Sequence, residues 1–164
     1  MSVWAEPIKP GVLTATDLKH YRQIPEAGAF LAAAVASGRT KSNVGFVISP
    51  GLTNIANVEV RFLSHDNKLV PAPRVFDIFL SDAATGIGLT ATTASGTVQA
   101  KSASGTLLFT YTAKKLLKVQ TLATGSYTLE ITDSAKTGFY VAVVDPVSGL
   151  PILSRKLVTA DYGA

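Results

Sequence analysis

The chain has 164 residues, enough for one domain with a core or for one domain with an additional arm. It is 47% hydrophobic but only 16% charged, below the roughly 25% usual in soluble domains, which favours a surface partly covered by partners. The absence of cysteine excludes a disulfide framework and a thiolate site. The net charge of +4 comes from scattered Lys and Arg residues without interleaved aromatic residues, so no nucleic-acid partner is expected.

No membrane association is expected either. The longest apolar run, residues 29–36, is far shorter than the roughly 20 residues that a membrane helix needs. The N-terminus has no basic segment followed by an apolar stretch, so no secretory signal is expected. Synthesis in the cytoplasm is therefore predicted, with export only as part of something larger.

Residues 1–49 are predicted to form an extended N-terminal arm. They contain three prolines and short apolar pieces, and only residues 14–24 and 26–38 have the pattern of short helical turns. Such an arm buries little surface by itself, so we expect it to become ordered on the surface of a partner. The residues predicted to contact that partner are Trp4, Ile8, Tyr21, Phe30, Arg39 and Lys41.

Residues 50–164 show the alternation of β-strands. In residues 57–64 the apolar side chains Val58, Val60 and Phe62 alternate with charged ones, and residues 74–82 continue the pattern. About eight strands follow one another at a spacing of roughly ten residues, including two short edge strands around 87–92 and 97–101. This pattern predicts an all-β, immunoglobulin-like (Ig-like) antiparallel β-sandwich. The predicted core includes Phe76, Ile78, Phe109, Leu129, Ile131, Val141 and Val143.

No constellation of catalytic or metal-binding residues is evident. His20 and His65 lie in different halves of the chain, and neither has a second ligand at metal-binding spacing. The glycines of residues 85–88 lack the third glycine and the helix of a dinucleotide-binding loop. The Asp residues mostly occupy turns, and their spacing selects no catalytic pair. We therefore expect neither enzymatic activity nor a cofactor.

Two segments carry a resemblance to a known group of proteins. They are "VEVRFLSHDNKLVPAPRVFDIFLSDAATG" (58–86) and "TLATGSYTLEITDSAKTGFYVAVVDPVSGLPILSRKLV" (121–158). Together they resemble a recurring module of tailed-bacteriophage structural proteins, similar to the Ig-like domains of head decoration proteins and head fibres. The resemblance covers roughly residues 55–159, and it implies a virion surface protein with an Ig-like fold.

Two functional hypotheses of different classes follow. The first is a non-enzymatic capsid decoration or cement protein on the virion surface, which clamps neighbouring copies of the major capsid protein and forms a homo-trimer on a capsid symmetry axis. Its basic contacts are predicted to include the cluster Lys114, Lys115 and Lys118. The alternative is an Ig-like adhesin or carbohydrate-binding module on a virion or cell surface.

Overall fold

The described part of the chain is almost entirely β-structure. The structure is a computed structural model, and it describes residues 43–64, 66–145 and 149–164. Within these ranges no helix is long and apolar enough to cross a membrane. The strands are β1 (Asn43–Pro50), β2 (Ile55–Leu63), β3 (Val75–Ser81), β4 (Val98–Ala100), β5 (Thr106–Thr112), β6 (Leu116–Gln120), β7 (Ser126–Thr132), β8 (Tyr140–Val144) and β9 (Pro151–Leu153), followed by a 3-10 helix (Thr159–Asp161).

The strands form two antiparallel sheets. One sheet has the order β1-β2-β7-β4 and the other the order β5-β6-β3-β8-β9. The first sheet and the β3-β8-β9 part of the second have the strand order of an Ig constant-type sandwich, and the β5–β6 hairpin extends the second sheet beside β3. The predicted all-β sandwich is confirmed.

The sandwich begins earlier than the predicted boundary after residue 49. β1 pairs with β2 along its whole length, from Asn43 beside Leu63 to Pro50 beside Ala56. Val44 is buried in the core, so the segment 43–49 belongs to the sandwich and not to the arm. The sequence pattern missed β1 because it is an edge strand in which only Val44 is buried, and half-buried strands give weak alternation. The predicted helical turns of the arm lie outside the described residues.

The core lies between the two sheets, and the predicted phase of its main strands is confirmed. Alternate side chains of β2, β3, β7 and β8 point inward, and removal of this apolar surface from water is the main force that holds the sheets together. The ring of Phe76 contacts those of Phe62 and Tyr127 edge-on, with centroids 5.0 and 5.8 Å apart. The fully buried side chains include Val58, Val60, Phe62, Ile78, Leu80, Tyr127, Leu129, Ile131, Phe139, Val141 and Val143.

Tyr127 is the largest fully buried side chain, and its hydroxyl has no hydrogen-bond partner among the described residues. Burial raises the pKa of this hydroxyl. A buried polar group without a partner costs roughly 1–3 kcal/mol. We therefore expect Tyr127→Phe to leave the free energy of unfolding unchanged or to raise it by about 1 kcal/mol. Urea unfolding checks this, and a loss above about 1 kcal/mol would show that the hydroxyl has a partner in solution.

Candidate interaction surface

β5 is an exposed edge strand without a lysine or a proline. It ends the five-stranded sheet and pairs with β6, and no other described strand lies beside it. All seven residues, TLLFTYT, are exposed and none is charged. Leu107, Leu108, Phe109 and Tyr111 are exposed by 39%, 45%, 58% and 49%. Edge strands are usually blunted by lysine, proline or very short length, because their free N–H and C=O groups can pair with another chain.

The prediction that Phe109 belongs to the core is wrong. Phe109 lies beside Lys118 of β6, whereas Leu107 lies beside the buried Val119. Register irregularities occur between Leu107 and Phe109 and again between Thr110 and Thr112. Because the extra residue Leu108 shifts the alternation by one position, Phe109 points to the outer face of the sheet.

The outer face of the hairpin carries an aromatic pair beside an ion pair. The ring centroids of Phe109 and Tyr111 are 5.1 Å apart, with the rings inclined by 73°. The Lys118 Nζ lies 5.8 Å from the centroid of the Tyr111 ring and 3.7 Å from the Asp77 Oδ1. A hydrogen bond with Tyr111 and the negative charge of Asp77 raise the pKa of Lys118.

Val75, which is two positions from Asp77 on β3 and 49% exposed, lies on the same face of its strand as Asp77, and the exposed Leu107 and Leu108 precede Phe109 along the edge strand. The apolar members of this surface are half-exposed, and its two charges have opposite sign. We call this surface the β5 edge patch. It consists of Val75, Asp77, Leu107, Leu108, Phe109, Tyr111 and Lys118.

In the predicted basic cluster of Lys114, Lys115 and Lys118, the first two lysines bind the chain's own backbone. The Lys114 Nζ donates hydrogen bonds to the carbonyl oxygens of Ala94 and Ser95, at 3.2 and 3.4 Å. The Lys115 Nζ donates to those of Thr90 and Ala91, at 2.7 and 3.0 Å. Only Lys118 of this cluster lies in the β5 edge patch.

The segment that these lysines hold connects the two sheets between β3 and β4. The predicted strand at 87–92 is absent, whereas the one predicted at 97–101 is present as β4. Asp82 also holds the segment, since its carboxylate accepts hydrogen bonds from the Thr90 hydroxyl and the Ala91 N–H. These two hydrogen bonds lower the pKa of Asp82. Residues 87–92 are therefore held by these side chains and by the backbone hydrogen bond from the Thr90 N–H to the Leu80 carbonyl oxygen, and not by a strand ladder.

We expect Lys115→Met to lower the free energy of unfolding by about 1 kcal/mol. The substitution keeps the length of the side chain but removes both hydrogen bonds to the backbone, each charge-assisted but partly exposed to water. Lys101→Met is the matched control, because Lys101 is exposed and its amine makes no hydrogen bond to any described residue. Urea unfolding of the two variants checks this, and equal stabilities would contradict a structural role for Lys115.

A second charged cluster of the described residues lies near the C-terminus. Arg155 donates two hydrogen bonds of 2.6 Å to the two carboxylate oxygens of Asp161, which also accepts from the Val158 N–H. The Arg155 hydrogen bond lowers the pKa of Asp161 despite its burial. These hydrogen bonds fix the conformation of the C-terminal segment between residues 155 and 161. Within the described ranges, no three His, Asp or Glu side chains are grouped so that they could hold a metal ion.

The other predicted contact residues lie outside the described ranges. They are Trp4, Ile8, Tyr21, Phe30, Arg39 and Lys41. Conversely, the sequence prediction missed the exposed apolar members of the β5 edge patch. One signal was present, because residues 102–113 contain no charged residue. A fully buried strand has the same composition, so this signal could not separate an exposed edge from the core.

In comparisons with known proteins, no protein-family model and no curated protein matches the sequence. The class of the protein is therefore defined by its own geometry. The described residues form an all-β sandwich of two antiparallel sheets, in which the uncharged edge strand β5 is exposed along its whole length.

Proposed function

We propose that this chain is a non-enzymatic structural protein that decorates a virus capsid and cements neighbouring copies of the coat protein. The observation that carries the proposal is the β5 edge patch, where four large apolar side chains and a strand edge face water. A chain that functions alone gains nothing from such an edge and risks aggregation, whereas an assembling chain covers it. The resemblance of residues 55–159 to virion surface modules favours a capsid as the surface to which the chain binds.

Cementing follows from selective binding. A protein that binds the assembled coat and not the free subunits stabilises the assembled state by mass action. In this proposal the sandwich lies across a junction between coat subunits, and the predicted arm residues contact the coat. Coverage of the β5 edge patch contributes apolar burial, worth roughly 25 cal/mol for each Å² removed from water.

The test is co-sedimentation of the full chain with purified, undecorated coat particles. We expect the wild-type chain to sediment with the particles at a saturating copy number. The double variant Phe109→Glu/Tyr111→Glu should bind at least tenfold more weakly, because it places two charges in the apolar part of the patch. The matched controls are Leu52→Glu and Ile87→Glu, whose native side chains are 80% and 79% exposed outside the patch.

Two outcomes contradict the proposal in different ways. A wild-type chain that never sediments with coat particles rejects the decoration function. If the double variant binds as tightly as the two controls, the chain still decorates the particles, but the β5 edge patch does not contribute to binding. Circular dichroism of each variant establishes that its sandwich is folded.

The exposed aromatic pair also favours a second candidate, a carbohydrate-binding module. Exposed aromatic rings beside hydrogen-bonding groups can bind the apolar faces of sugar rings, and Phe109 and Tyr111 lie beside Lys118 and Asp77. The inclination of 73° between the two rings prevents both from stacking on one flat sugar, so we rank this candidate second. Quenching or shift of tyrosine fluorescence by soluble glycans, absent in Tyr111→Leu, would support it.

A further inference from the structure

We infer that the occupant of the β5 edge patch is a second copy of this chain, related to the first by a two-fold axis that passes close to Phe109. This inference rests on the proposed function and names the partner at the same surface. Phe109 is the middle residue of β5 and the most exposed of its large side chains. An isologous contact places it near the same residue of the other copy.

The charge of the patch makes it compatible with itself. β5 carries no charged residue, and the only charges in the patch are those of Lys118 and Asp77. Because they have opposite signs and lie side by side, a two-fold axis can bring the lysine of one copy towards the aspartate of the other. No excess of either sign opposes the contact, whereas a patch with a net charge would repel its own copy.

The shape of the edge determines which atoms make the contact. The two bulges interrupt the regular ladder of β5, and bulges twist an edge away from continuous pairing with another strand. We therefore assign most of the contact to side chains of the outer face, above all the Phe109–Tyr111 pair. Aromatic residues are enriched where interfaces gain most of their binding energy.

The size of the patch predicts a weak dimer. A wholly exposed aromatic side chain offers roughly 150–250 Å², an aliphatic one offers less, and these are about half exposed, so the five apolar side chains provide at most on the order of 500 Å². Stable interfaces bury roughly 800 Å² per partner, so we expect a dissociation constant on the order of 100 μM for the free chain. On a capsid, where neighbouring copies are held close together, the high effective concentration makes the same contact persistent.

The test uses two oppositely charged variants of the full chain, Phe109→Glu and Phe109→Lys. Near a two-fold axis each variant opposes its own charge, so each should self-associate at least tenfold more weakly than the wild type. An equimolar mixture should regain association, because glutamate then meets lysine. Sedimentation equilibrium at concentrations up to about 1 mM measures all three, given the weak dimer expected from the size of the patch. Ile87→Glu is the matched control, and it should associate like the wild type.

Each alternative result overturns the inference. These are a wild type that stays monomeric throughout the series, variants that associate like the control, and a mixture that associates no better than its components. If the wild type is monomeric but its capsid binding still depends on Phe109, the proposed function stands and the patch binds the coat protein instead of a second copy. A trimer unaffected by the Phe109 variants assigns self-association to another surface. Urea unfolding establishes that both variants are folded, as the 58% exposure of Phe109 leads us to expect.

Discussion

Replacement of Ile131 with alanine is expected to lower the free energy of unfolding by about 2–5 kcal/mol. Ile131 is fully buried in β7, where it lies between Ala56 of β2 and Val98 of β4. Truncation removes three carbons from a close-packed core and leaves a cavity, and neighbours in the middle of a sheet cannot close over it without disturbing the hydrogen-bond ladder. Urea unfolding, followed by circular dichroism, measures the loss.

Phe109→Ala is the matched control for this measurement. The sequence pattern assigned both residues to the core, but Phe109 is 58% exposed on the edge strand. Its replacement should change the free energy of unfolding by less than about 0.5 kcal/mol, as is usual for surface positions. Similar losses in the two variants would mean that the side chains of β5 and β7 are assigned to the wrong faces.

Replacement of Asp133 with alanine is expected to cost about 3 kcal/mol. This buried carboxylate follows β7 and accepts hydrogen bonds from three backbone N–H groups, those of Ser95, Ala135 and Thr137, at 3.1, 3.3 and 2.8 Å. It therefore fixes the turn after β7 and ties it to the segment before β4. Alanine would leave three donors without their acceptor, each at a cost of about 1 kcal/mol or more.

Ser134→Ala provides the matched control in the same turn. Its side chain is exposed and, among the described residues, its hydroxyl bonds to the Ser95 hydroxyl alone, at 3.0 Å, so its loss should cost less than about 1 kcal/mol. If Asp133→Ala proves as mild as Ser134→Ala in urea unfolding, the carboxylate does not hold the turn.

The same carboxylate should make stability fall in acid. Burial by itself would raise the pKa of Asp133, but the hydrogen bonds from Thr137 and Ser95 outweigh it and lower the pKa to about 2. Because the pKa is lower in the folded chain than in the unfolded chain, the contribution is fully present above about pH 5 and is lost as the pH falls to about 2. The difference from the ordinary value of 3.8 corresponds to about 2 kcal/mol.

Asp133→Asn isolates this contribution, because the amide retains one oxygen acceptor and does not titrate. Asp82 and Asp161 also have lowered pKa values, so some acid loss should persist in the variant. We expect its stability between pH 5 and pH 2 to fall less steeply than that of the wild type. Parallel pH profiles for the two proteins would contradict the assignment to Asp133.

The sequence by itself determined the sandwich and the phase of its main strands. Val58, Val60 and Phe62 alternate with charged neighbours, and Leu129 and Ile131 of β7 alternate with polar ones. Because the side-chain period of a strand is two residues, this alternation identifies the buried face wherever a strand is regular and lies inside a sheet. All five of these residues are buried.

Only the tertiary structure decided what lies at the edges. β1 and β5 are edge strands, and whether an apolar side chain there is covered depends on the strand order of the sheet, which local patterning does not contain. The bulges turned Phe109 outward, and the chain path after β3 brought carbonyl oxygens to Lys114 and Lys115. The sequence therefore placed the core, but the β5 edge patch emerged only from long-range packing, because neither edge exposure nor lysine partners are encoded by neighbouring residues.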